Sequence, residues 1–159
     1  MGRKDGHRVE QTLVILKPDA LQRRMLGRII RRFEDKGLKI AAMKMIRLTR
    51  QVAERHYAAH KGKAFYEPLL AFLTSAPVVV MVIEAPAAVA TVRRMLGATF
   101  AAEAEPGTLR GDLAVSNRYN LAHGSDSVEA AEREISLFFR PEEILSYDQA
   151  DAHWVSELL

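Results

Sequence analysis

Val78-Val79-Val80-Met81-Val82-Ile83 is an unbroken apolar run dominated by β-branched residues. That composition at that length reads as a buried strand. Pro86 follows it closely. Proline has no backbone N–H to leave unpaired in a first helical turn, so it is well placed to open a helix, and Val89, Val92 and Leu96 then recur at helical spacing. Residues 112–116 read as the next strand. An upstream segment has the same order. Residues 12–16 form a short apolar run and Pro18 follows. Leu26, Ile29, Ile30 and Phe33 share a helical face, and Gly37 suits the C′ position that ends the helix. Residues 39–48 alternate well enough for a half-buried strand, through Ile40, Ala42, Met45 and Leu48 with one slip. Two strand–helix–strand units of similar size predict an α+β fold, a ferredoxin-like split βαβ sandwich. Its sheet would have four antiparallel strands, with helices on one face.

Three further helices complete the reading. Thr49 is a predicted N-cap for a helix to about residue 59, and residues 65–73 form another. Residues 98–111 have no period and contain Pro106 and Gly107, so they read as a long loop. Residues 125–139 form the last helix, with Val128, Ala131, Ile135 and Phe138 on one face.

A chain of 159 residues suits one compact domain with its own core. The polar segment 1–10 lacks the apolar centre of a signal peptide. It is expected to be a disordered leader, with residues 11–159 as a single domain. Lysine and arginine outnumber the acids by 23 to 20, a balance of +3. That favours anionic small molecules and is too weak to argue for nucleic acid. The absence of cysteine excludes disulfides, thiolate catalysis and cysteine-ligated zinc. The longest apolar run, residues 76–83, is interrupted by Pro77 and far too short for a membrane span. A cytoplasmic protein without a membrane partner is expected.

The stretch Asn120-Leu121-Ala122-His123-Gly124-Ser125-Asp126 carries the chemistry. It puts a histidine one step before an expected turn glycine and just ahead of a helix. Ser125 or Asp126 can cap that helix, and Glu129 lies three residues past Asp126 in a capping-box-like spacing. An imidazole there stands beside unpaired backbone N–H groups and the positive end of a helix dipole, a place that suits phosphate. A neutral imidazole nitrogen is also a competent nucleophile. His56 and His60 have the i, i+4 spacing of a metal pair, but Tyr57 stands where a metallohydrolase helix has glutamate. Both are read as helix surface.

These residues extend to a family pattern, and the chain resembles nucleoside diphosphate kinases over roughly residues 11–154. Thr12-Leu13-Val14-Ile15-Leu16-Lys17-Pro18-Asp19 is similar to the family's first strand and lysine. His56, Tyr57 and Phe65 fall at its nucleotide-binding helical hairpin. Arg93 and Thr99 flank the long loop, and Pro106-Gly107-Thr108-Leu109-Arg110-Gly111-Asp112 closes it. Residues 120–126 match the signature Asn-x-x-His-Gly-Ser-Asp.

The resemblance implies transfer of the γ-phosphoryl group of a nucleoside triphosphate, typically ATP, to nucleoside diphosphates. The mechanism would be ping-pong, through phosphohistidine at His123. It implies Glu134 as the carboxylate that fixes the His123 tautomer. Lys17, Arg93 and Arg110 would hold phosphates, with Thr99 adding a hydroxyl. Asn120 and Lys17 would hold ribose hydroxyls. Phe65 would stack on the base, which tolerates every base because each has a π-face, and Tyr57 and Leu69 would line the pocket. Ser125 would bond the phosphate or Glu134. Mg²⁺ would arrive on the nucleotide phosphates, without protein ligands. A homo-oligomer is implied, a hexamer before a tetramer. Asn117, Tyr119, Phe100-Ala101-Ala102 and Ala64 depart from the family pattern, and none removes a catalytic group. An RNA-binding module is disfavoured, because the predicted strands offer almost no exposed aromatics. A catalytically dead scaffold fits poorly with retention of His123, Lys17 and Arg110.

Overall fold

A computed structural model describes residues 9–155. Its four strands, β1 (Val9–Leu16), β2 (Lys39–Ile46), β3 (Val78–Pro86) and β4 (Ala122–Gly124), form one sheet in the order β2-β3-β1-β4. Every neighbouring pair is antiparallel, the ferredoxin-like arrangement that the two split units predict. The two most apolar runs occupy the centre, with Val14 opposite Met81 and Ile15 opposite Val80. The slip in the alternation of β2 is a β-bulge between Ile40 and Ala42.

Helices cover both faces of the sheet, where one had been expected. Val14, Leu16, Val79, Met81 and Ile83 are buried under Ile29 and Phe33 of α2 (Leu26–Asp35) and Val92 and Leu96 of α5 (Ala88–Leu96). Leu13, Ile15, Val78, Val80 and Val82 point the other way. They meet Ala53 of α3 (Arg50–His56), Leu70 and Leu73 of α4 (Tyr66–Thr74), and Ile135 and Phe138 of α7 (Val128–Phe138). β1 and β3 are apolar at consecutive positions, and such strands need cover on both sides.

Five other expectations change. Pro86 is the last residue of β3 and does not open a helix, because Ala87, at a left-handed φ of 51°, stands between it and α5. β1 begins at Val9, so residues 9 and 10, placed in the leader, are strand; residues 1–8 lie outside the described residues. The helix expected from Pro18 to Gly37 is two, α1 (Pro18–Gln22) and α2, because Arg24 takes a left-handed φ of 58° between them. Gly37 ends α2 as expected. It has a φ of 84°, and Leu38 N–H donates to Phe33 O while Gly37 N–H donates to Glu34 O, the two bonds of a Schellman motif. Residues 112–116 are not the fourth strand. Thr108 Oγ1 accepts from Gly111 N–H and caps the short helix α6 (Leu109–Leu113), which buries Leu109 and Leu113. The fourth strand is β4, inside the histidine motif itself. Finally, α7 is capped neither by Ser125 nor by Asp126. Ser127 Oγ accepts from Ala130 N–H at 3.1 Å, and Val128 stays exposed.

Candidate active site

Antiparallel pairing sets His123 opposite Ile15 on the edge of the sheet. Gly124 is a strand residue and not a turn. A Cβ there would lie 2.9 Å from Leu96 Cδ1 and 3.3 Å from Val92 Cγ1, so glycine lets α5 approach β4 closely. The kink comes three residues earlier, at Leu121, whose φ is 72°. A leucine in the left-handed region is strained and must be held by its surroundings. Asp19 Oδ2 accepts from Leu121 N–H at 3.0 Å, and Leu121 O accepts from Lys17 N–H at 2.8 Å. Arg110 is buried and braces both flanks. Its Nε donates to Asn120 O at 3.2 Å, its Nη2 to Ala122 O at 2.6 Å and its Nη1 to Gly97 O at 2.8 Å. Three of its five N–H groups are thereby used, leaving two for a ligand. Burial, and then the nearby Arg93 charge, push the Arg110 guanidinium down to about 10, so it stays cationic at neutral pH.

His123 Nε2 lies 3.0 Å from Glu134 Oε2, and Ser125 Oγ donates to the same oxygen at 2.6 Å. Burial alone would raise the Glu134 carboxyl. The His123 hydrogen bond and charge, with the Ser125 bond, outweigh it and hold the carboxyl below its ordinary value. An ionised carboxylate only accepts hydrogen bonds, so Nε2 must carry the imidazole proton. The lone pair then sits on Nδ1.

Lys17 Nζ donates to Asn120 Oδ1 at 2.8 Å, and Asn120 Nδ2 donates to Thr99 O at 2.8 Å. This chain ties β1, the motif and the long loop together. Burial, and next the Arg110 charge, bring the Lys17 amine down to about 8, partly offset by Asp19. The Tyr57 ring lies edge-on to His123 at 5.9 Å. Its buried hydroxyl has no partner among the described residues, and burial pushes it up, so it keeps its proton. Arg93, Thr99 and Phe65 are exposed and Leu69 is half-buried. Phe65 is half exposed at the start of α4, and its ring lies 5.4 Å from that of His60. A separate groove of about 790 Å³ between β1 and α7, lined by Gln11, Ile135 and Phe139, contains none of these residues.

Two residues take roles that the sequence does not announce. His56 is not helix surface. Both its ring nitrogens are buried without a partner among the described residues, and its ring lies edge-on to His123 at 4.6 Å and to Tyr57 at 4.4 Å. Burial, and then the His123 charge, push it down to about 3, so it is neutral. No local spacing signals this burial, which arises where α3, β4 and α7 meet. Asp19, as the clamp on Leu121, had no signal beyond its place in the first strand motif. One ring nitrogen each of His56 and His123 and one Glu134 oxygen lie within 4.8 Å of one another, and His60 is outside that group. Of the departures, Asn117 Oδ1 accepts from Ala102 N–H at 3.5 Å, and Tyr119 meets Phe72 edge-on at 5.0 Å.

The family model described as "Nucleoside diphosphate kinase" matches residues 10–144. A nucleoside diphosphate kinase of Thermomicrobium roseum is 53% identical over 147 residues, which are 92% of this chain and 99% of that one. The enzyme of Pyrococcus furiosus is 57% identical over 149 residues, 92% of each. The solved structure of a halophilic nucleoside diphosphate kinase from Halobacterium salinarum, in complex with CDP, superposes with a TM-score of 0.92 at 44% identity and covers 94% of this chain and 100% of its own. A histidine held by a carboxylate, in a chain that these relatives match over more than nine-tenths of its length, leaves one conclusion: the chain belongs to the nucleoside diphosphate kinase family.

Proposed function

We propose that this nucleoside diphosphate kinase carries its phosphoryl group on Nδ1 of His123. The observation that carries the reading is the ionised Glu134 on Nε2, which leaves the Nδ1 lone pair free. In the first half-reaction Nδ1 attacks the γ-phosphorus, the bond to the β–γ bridging oxygen breaks, and the diphosphate leaves. In the second, a terminal oxygen of another nucleoside diphosphate attacks the same phosphorus, and the N–P bond returns its electron pair to Nδ1. Glu134 stabilises the positive charge that the ring gains while phosphorylated, and Ser125 keeps that carboxylate in place. Phosphoryl transfer asks for alignment and charge neutralisation more than covalent work. Lys17, Arg93 and the two spare N–H groups of Arg110 supply that charge, the Tyr57 hydroxyl adds a donor, and Thr99 a hydroxyl.

Phe65, half exposed, is the base platform, Leu69 lines the pocket, and Asn120 and Lys17 take the ribose hydroxyls. Binding of CDP by the Halobacterium salinarum relative supports a nucleoside diphosphate as ligand. Mg²⁺ rides on the nucleotide phosphates. The one three-residue ligand group found among the described residues offers two imidazole nitrogens, whereas Mg²⁺ selects oxygens. When bound, it neutralises phosphate charge. The chain acts as a homo-oligomer, a hexamer before a tetramer; the edge strand β2 exposes Met43 and Met45, a surface suited to burial by another copy. Among the described residues no helix is long and apolar enough to cross a membrane. The chain works in the cytoplasm on free nucleotides, without a nucleic-acid partner.

The test is incubation with γ-labelled ATP and Mg²⁺. Label that is acid-labile and base-stable, and absent from folded His123→Ala, is expected. Label retained by His123→Ala refutes the assignment.

A further inference from the structure

We propose that His56, His123 and Glu134 form a site for a divalent transition-metal ion of the zinc class, and that its occupation switches off the nucleophile. The three side chains come from α3, β4 and α7, and one ligand atom from each lies within 4.8 Å of the others. His123 Nε2 and Glu134 Oε2 are already 3.0 Å apart. Zinc binds nitrogen and oxygen at about 2.0–2.2 Å, which sets the ligand atoms of a tetrahedral ion about 3.4 Å apart. Closing the present spread of up to 4.8 Å takes a movement of at most about 1.4 Å by the His56 ring. That ring has a reason to move. Both of its nitrogens are buried without a partner among the described residues, and an orphaned buried polar atom is costly. A metal ion would satisfy one of them. The His123 side chain is 20% exposed, which gives an ion entry and leaves its fourth position to water.

The donor set decides the class of ion. Two imidazoles and one carboxylate suit zinc and copper, whereas Mg²⁺ holds to near-octahedral oxygen. Excess Mg²⁺ therefore does not compete. The consequence for His123 follows from the count of lone pairs. A neutral imidazole has one nitrogen lone pair in its plane. A metal on Nε2 sends the ring proton to Nδ1, and a metal on Nδ1 occupies that atom directly. In either case nothing remains to attack phosphorus. The inhibition rests on His123 as phosphate carrier, while the binding does not.

The test is calorimetric titration of the nucleotide-free full chain with zinc chloride, in excess Mg²⁺ at neutral pH. One ion per subunit is expected. Loss even of an outer partner of a metal ligand costs roughly 10–100-fold in affinity, so His56→Ala, a lost ligand, should weaken binding at least about tenfold. His56→Phe keeps the ring volume and should do the same, which separates ligation from misfolding. His153→Ala, on the exposed C-terminal helix, should bind as the parent does. Unaltered binding in both His56 variants, or equal loss in His153→Ala, overturns the site. With saturating zinc, uptake of label from γ-labelled ATP should fall at least tenfold and return with a zinc-selective chelator. Undiminished labelling overturns the switch. Label retained by His123→Ala would strike the phosphohistidine reading instead, and the binding heats would be untouched.

Discussion

At the residue scale the site depends on where single protons reside. Glu134 accepts from both His123 and Ser125, so Glu134→Gln removes the charge that fixes the tautomer and leaves the nucleophile present. Its turnover is expected to fall about 10–100-fold, as when the outer partner of a ligating histidine is lost. His123→Ala should leave no turnover. A Glu134→Gln enzyme as active as its parent under saturating nucleotide would show that the carboxylate does not matter. Lys17 sets a pH limit. Its amine is brought down to about 8 by burial and then by Arg110, and only the protonated form neutralises phosphate. For free enzyme, kcat/KM is therefore high below about pH 8 and falls as pH rises through it. Bound phosphates favour the ammonium, so the corresponding limb of kcat lies at higher pH. Profiles of kcat/KM flat to pH 10 would remove Lys17 from this role. The motif was legible as chemistry because its residue types are unusual in that order. His56 was not, since burial of both ring nitrogens arises from α3, β4 and α7 meeting, a tertiary fact that no local spacing encodes.

At the scale of elements, the apolar runs of β1 and β3 were plain in the sequence, because central strands leave uninterrupted β-branched stretches. β4 was not. It is three residues long, its middle residue is a histidine and it ends on glycine, so it carries neither periodicity nor propensity. It forms because Leu121 turns the chain against β1 and Arg110, Asp19 and Lys17 hold that turn. The sequence instead nominated residues 112–116, where the helix capped by Thr108 takes in Asp112 and Leu113, and residues 114–116 follow it without regular structure. α7 starts at Val128, three residues after the expected residue 125, for a related reason: three cap-forming side chains, Ser125, Asp126 and Ser127, stand in a row. Ser127 takes the cap and Ser125 is left for Glu134. The two serines should separate in experiment. Ser127→Ala is expected to cost about 1 kcal/mol of stability with kcat nearly unchanged, since its hydroxyl accepts from Ala130 N–H and, among the described residues, bonds no group of the site. Ser125→Ala should lower kcat. Chemical denaturation alongside steady-state kinetics reads both, and a Ser127→Ala enzyme with parental stability but reduced kcat would reverse the assignment.

At the scale of the whole molecule, the long loop joins the site to the surface. Asn120 Nδ2 holds Thr99 O, and Asn117 holds Ala102 N–H. Between those ties, Ala101 opens a single 3₁₀ turn, and Phe100 before it is extended at φ −83° and ψ 113°. That backbone is the one a residue before proline prefers, and proline is at ease in the first position of a helical turn. Ala101→Pro therefore restricts the unfolded chain without asking the native loop to move. The gain is about 0.4–1 kcal/mol, or about 1–4 °C in melting temperature for a subunit of this size. Ala101 is nearly buried within the subunit, so the ring has limited room, and a lower melting temperature would show that overpacking exceeds the entropic gain. The loop also bears on assembly. The resemblance to the family implies that the loop lies close to the subunit contacts, so stiffening it should slow subunit dissociation. Light scattering at micromolar concentration should give a hexamer mass for the parent chain and for Ala101→Pro. A clean monomer mass would end the assembly proposal. A hexamer whose Ala101→Pro form dissociates at the parental rate would separate the loop from the contacts and leave the stability argument to stand alone.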